Sequence, residues 1–139
     1  MNTAEQLATI DGLWSRPFPA DHGRSAAGWG GPGYVVAELT RRHGAREEAE
    51  DQAEADRDGL TALLDGRWGE PYRFSLWSVH TRALEHGEEI PEPWDWLSAC
   101  AQDLHLWSVG ERWVALAVAH QGDDSPYQLL AVVTDVAPP

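Results

Sequence analysis

The chain contains no lysine: all ten of its basic residues are arginine. A Schiff base, a phosphate-loop lysine and a lysine general base are therefore excluded as mechanisms. Cysteine is almost absent too. Cys100 stands alone, so no disulfide can form within the chain. No apolar run approaches the roughly 18 residues needed to cross a bilayer. The stretch from Met1 to Trp14 holds Glu5 and Asp11 but no basic residue, unlike the basic start of a secretory signal. These absences together lead us to expect a cytoplasmic protein.

What is abundant is negative charge. Twenty-three acidic residues face ten arginines, for a formal net charge of −13. Such a field repels phosphate backbones and anionic bilayers, so neither nucleic acid nor membrane is expected as a partner. It attracts and steers a basic protein. A length of 139 residues fits one domain, and the ordinary apolar share places the chain among globular proteins.

Read from its start, the chain opens with Thr3-Ala4-Glu5-Gln6, a capping-box pattern. Leu7, Ile10 and Trp14 follow at helical spacing and predict a short helix over 4–14, which Pro17 stops. Residues 15–33 are rich in glycine and proline and read as a long loop, functional or mobile. Lacking lysine and a preceding strand, this loop is no phosphate cradle. Tyr34 to His43 reads as a helix, with Pro32 near its start and Gly44 after its end. Residues 45–65 read as a largely solvated acidic helix. There Ala45, Ala49 and Ala53 form a narrow stripe, with Leu60, Leu63 and Leu64 as the anchor.

The second half changes character. Tyr72 to Val79 reads as a strand, 81–86 as a helical turn, and Trp94 to Ala101 as a short helix. Three strands follow at 104–109, 112–121 and 127–136, the first two joined through Gly110-Glu111 as a type II′ hairpin. Alternation groups Leu104, Leu106, Trp113, Ala115, Ala117, Ala119, Leu129, Ala131 and Val133 on one face. The other takes His105, Trp107, Val114, Leu116, Val118, His120, Gln128, Leu130, Val132 and Thr134. The expected fold is α+β: a mainly antiparallel sheet of about four strands (β-α-β-β-β in the C-terminal half), packed on one side by the N-terminal helices. The second face is left for a partner or a second copy, as in a homodimer.

Chemistry-bearing residues do not assemble into a motif. No two of the six histidines sit at the i, i+4 spacing of a zinc site, and no second cysteine joins Cys100. No catalytic residue, metal or cofactor is expected. His105, His120 and Asp123 are the one grouping that could line a ligand pocket, together with the glycine-rich loop. Eight tryptophans are many for this length. Trp77, Trp107 and Trp113 fall within the expected strands and belong in a core. Trp29, beside glycines, and Trp94 and Trp96, beside prolines, are candidates for partner contact. Glu47, Glu48, Glu50, Asp51, Glu54, Asp56 and Asp58 crowd one helix with only Arg57 among them, and that repulsion would be relieved by a basic partner.

The composition is of the kind that toxin-neutralising immunity proteins and secretion chaperones share. The expectation is thus a non-enzymatic domain that binds a basic protein through Glu47, Glu48, Glu50, Asp51 and Glu54 with Trp29, Trp94 and Trp96. A small enzyme or ligand binder with a pocket near His105, His120 and Asp123 is the alternative.

Overall fold

The computed structural model describes residues 2–25 and 28–139. The chain is α+β, with four helices and one seven-stranded antiparallel sheet. In chain order these are α1 (Thr3–Ser15), β1 (Gly23–Ser25), β2 (Gly28–Gly31), β3 (Tyr34–Arg42), α2 (Arg46–Trp68), β4 (Tyr72–Ser75), α3 (Trp77–His86), α4 (Trp94–Cys100), β5 (Asp103–Val109), β6 (Arg112–Ala119) and β7 (Tyr127–Thr134). Strand order across the sheet is β1-β2-β3-β7-β6-β5-β4.

The sheet is wider than the expected four strands, for two reasons. The segment 34–43, expected as a helix, is β3: Val35, Val36 and Thr40 suit a pleated strand, and the long ladder against β7 outweighs the helix-forming Glu38 and Leu39. The glycine-rich stretch, expected as a loop, carries β1 and β2. Glycine is needed there because the backbones lie so close. A Cβ on Gly28 would stand 2.0 Å from the carbonyl oxygen of Val36, and one on Gly30 would stand 2.6 Å from that of Tyr34.

Other boundaries move less. The cap of α1 is Asn2, whose side chain accepts from the Glu5 N–H at 2.8 Å, and not Thr3. Helix α1 ends at Ser15, just before Pro17, and α2 extends three residues past its expected end. The strand expected over 72–79 stops at Ser75, and from Trp77 the chain is helical. The β5–β6 hairpin pairs Val109 with Arg112. Gly110 has φ +64° and no non-glycine residue among those described has positive φ, which fits the type II′ turn.

One expectation fails instructively. Ala115 pairs with Val132 and Leu116 with Ala131, so β7 is slipped by one residue from the expected grouping. Leu130 and Val132 share the face of Leu104, Leu106, Ala115 and Ala117, while Leu129, Ala131 and Val133 share that of Val114 and Leu116. A one-residue slip exchanges every side chain between faces. The open connection through 120–126 does not fix register as a two-residue turn does.

The two N-terminal helices share one core, while α3 and α4 enter the other. One buried cluster joins Ile10 and Leu13 of α1 with Leu60 and Leu64 of α2, Trp107 and Leu116. The other joins Val79, Trp94 and Leu97 with Leu104, Ala117 and Val132. The sheet face expected to await a second copy is thus filled from within the chain. Two indoles are tied down by their polar edge: Trp94 Nε1 donates to the Val136 carbonyl at 3.0 Å, and Trp107 Nε1 to that of Gly69 at 2.9 Å. No helix is long and apolar enough to cross a membrane among the residues described.

Candidate functional site

The acidic helix presents its carboxylates in an orderly way. At about 100° per residue, Glu47, Asp51, Glu54, Asp58 and Asp65 fall within an arc of about 60° on α2. The buried Ala49, Ala53, Leu60 and Leu64 lie on the far side. Arg46, Arg57 and Arg67 fall on or beside that buried arc, where Arg46 reaches the Tyr127 hydroxyl and Arg67 reaches Asp11. Asp56 also points inward, to Arg42. Among the described residues no arginine or histidine pairs with Glu47, Glu48, Asp51 or Glu54; on the ridge only Asp58 has a cation, the neighbouring Arg57 at 3.1 Å. The result is a ridge of nearly unneutralised carboxylates along the outside of the longest helix.

Glu50 differs from its neighbours. It accepts a hydrogen bond from the Tyr127 hydroxyl at 3.1 Å, and it lines a cavity of about 640 Å³ with Arg46, Trp77, His80, Cys100 and His120. The His120 ring stacks flat on Tyr127, centroids 4.2 Å apart. Burial pushes the half-buried Cys100 thiol up to about 11, a range in which little thiolate forms at neutral pH.

The expected pocket of His105, His120 and Asp123 is not assembled. His105 is buried, and its Nδ1 lies 2.8 Å from Thr61 Oγ1 on α2. Burial, reinforced by Arg57 and Arg73, lowers its pKa, so it is a neutral core imidazole. Only His120 reaches the cavity, and Asp123 stands on the exposed turn beyond it. Among the described residues no three histidine, cysteine or carboxylate side chains converge as metal ligands.

The tryptophans exchange roles. Trp94, expected at a partner surface, has 0% exposure and belongs to the core. Trp77, expected in the core, opens α3 with 72% of its surface exposed, and Leu84 on the same helix is 73% exposed. Their spacing of seven places both on one stripe of α3. The signal for Trp77 lay in the helical period of Leu76, Val79 and Ala83, which buries the opposite side. Trp29 and Trp96 are brought together edge to face, centroids 5.5 Å apart.

A larger groove of about 940 Å³ lies along α1, the β1–β2 hairpin and β3. Trp29, Trp96, Arg16, Arg24, His22 and Tyr34 are among its walls. Tyr34 Oη and His22 Nδ1 are 2.8 Å apart. Burial and the Glu92 carboxylate push the Tyr34 hydroxyl above its ordinary range. Partial burial of Glu38 is outweighed by hydrogen bonds from Arg41 and Gln128, which hold its carboxyl below the usual range. Comparison with known proteins finds no matching family model, no matching curated protein and no matching solved structure.

Proposed function

We propose that this chain is a non-enzymatic binding domain that holds, neutralises or chaperones a basic protein. The observation that carries this reading is the α2 ridge of Glu47, Asp51 and Glu54, exposed or half-exposed and without cationic partners among the described residues, while Arg46 and Arg67 of the same helix are used away from it, on Tyr127 and Asp11. Like charges at i, i+4 cost a helix some tenths of a kcal/mol each. A cationic surface would remove that cost and would be drawn in by the net charge of −13.

Trp77 supplies what charge alone does not. It stands on the rim of the same cavity that Glu50 lines, so a large apolar side chain lies within reach of the acidic end of α2. Burying an exposed tryptophan contributes heavily at interfaces. Partner contact is therefore assigned to Glu47, Glu48, Asp51, Glu54 and Trp77, with Glu50 at the cavity wall. The buried Trp94 drops out, and Trp29 and Trp96 belong to the separate groove beside α1.

Co-purification of the tagged protein from native lysate at low and high salt tests the reading. A basic partner should be retained at about 50 mM salt and shed as screening shortens the Debye length several-fold at about 500 mM. A partner held equally at both, or none at either, contradicts it.

A further inference from the structure

The arginines of this chain are scarce and mostly committed. Arg41, Arg42, Arg57, Arg67 and Arg82 have carboxylate partners. Arg46 donates to the Tyr127 hydroxyl, and Arg112 to the carbonyls of Trp14 and Arg16. In a molecule with more than twice as many acids as arginines, an arginine without an anion needs a reason. Among the described residues, the side chains of Arg16, Arg24 and Arg73 are those without a hydrogen-bonded or ionic partner; Arg24 lies over the Trp29 ring at 5.7 Å. Two of these three, Arg16 and Arg24, line the same groove.

We propose that the groove between α1, the β1–β2 hairpin and β3 binds a small molecule bearing a carboxylate or phosphate, with Arg16 and Arg24 as its anion clamp. Four features converge on this. The volume, about 940 Å³, suits a small-molecule site. Three arginines (16, 24 and 41) line it against a single carboxylate, Glu38, which is already bound by Arg41 and Gln128. Glu92 stands beside the lining, near enough to raise the Tyr34 hydroxyl, so here three arginines face two carboxylates, against the balance of the molecule as a whole. Trp29 and Trp96, packed edge to face, add aromatic surface to its lining for the body of the ligand. Gly28 and Gly30 form part of its wall and let β2 lie close against β3, since a Cβ at either would come within 2.6 Å of a backbone oxygen.

The same groove runs beside the edge of β3, because pairing with β2 ends at Trp29–Val36. That edge is poorly suited to receive a strand. The strand bends at a bulge in its ladder with β7 between Glu38 and Thr40, and it carries the charged Glu38, Arg41 and Arg42; bulges and charges are devices by which proteins guard an edge against pairing. A compact ligand fits the groove better than an extended chain. The site is independent of the α2 ridge, so either can fail alone.

Calorimetric titration of the intact protein tests this. The probes are adenosine 5′-monophosphate and benzoate, each against an uncharged counterpart, adenosine and benzyl alcohol. At least one anion should bind saturably at one site, and its counterpart at least about tenfold more weakly. Which anion binds tells phosphate from carboxylate. An Arg16→Gln/Arg24→Gln double variant, changed only at exposed residues, should melt as the parent does and lose about tenfold or more in affinity, while Arg73→Gln retains it. No saturable binding by either anion, equal binding of the uncharged counterparts, or affinity unchanged in the double variant overturns the proposal.

Discussion

Arg42 on β3 and Asp56 at the middle of α2 meet in two parallel hydrogen bonds, Nε to Oδ2 and Nη2 to Oδ1, both 2.8 Å long. This two-point pair is one of the ties between the long helix and the sheet, and it consumes one acid of the crowded segment. The Arg42 guanidinium holds the Asp56 carboxyl below the ordinary carboxylate range. A carboxyl depressed in the folded state contributes stability above its unfolded pKa and loses it as pH falls through the folded value. Asp56→Asn should therefore cost about 1 kcal/mol at pH 7. The gap to the parent should close as the solution is acidified below about pH 4. Denaturant melts across that range measure it; a gap that does not narrow would contradict the assignment.

The exchanged tryptophans give a sharp contrast. Trp94→Ala should cost about 3–5 kcal/mol, because it empties a fully buried site and strands the Val136 carbonyl. Trp77→Ala should change stability by no more than about 0.5 kcal/mol yet weaken partner capture. Thermal melts beside pull-down yields check both; equal destabilisation by the two would refute the burial pattern.

Glycines divide in the same way. Gly59 lies within α2 with no atom near the position of an added Cβ, so Gly59→Ala should stabilise by about 0.5–1 kcal/mol. Gly30→Ala should destabilise, since its Cβ would press on the Tyr34 carbonyl. Opposite shifts in melting temperature are the expected result, and shifts of the same sign would count against the close β2–β3 approach.

Cys100 should react slowly. With its thiol pushed up to about 11, alkylation by iodoacetamide at pH 8 should run on the order of a hundredfold slower than for the unfolded chain. Mass spectrometry over time reads the rate directly. Labelling as fast in the folded protein as in denaturant would contradict the raised thiol.

Much of this architecture can be read from local pattern. The β5–β6 hairpin follows from Gly110-Glu111, the end of α1 from Pro17, and the outer ridge of α2 from its density of acids without large apolar residues. What local pattern misreads is decided by distant partners. Val35 and Leu39 stand four apart, as on a helix, and only the β7 ladder makes the segment a strand. The glycine run hides β1 and β2 because a strand of glycines has no apolar alternation. Trp77 is misplaced by taking aromatic density for a strand where the 3.6-residue period of Leu76, Val79 and Ala83 governs. His105 and His120 are separated because they sit at different depths along the sheet, one beneath α2 and the other past the end of β6.

The most direct test of the central claim compares the parent with a Glu47→Gln/Asp51→Asn/Glu54→Gln variant, each used as bait in the same native lysate at about 50 mM salt. The variant keeps the fold-locking Asp56 and the cavity-lining Glu50, so its melting temperature should equal or exceed that of the parent. A basic protein captured by the parent should be lost from the variant. Capture of the same protein in equal yield by both would contradict the acidic ridge as the docking surface.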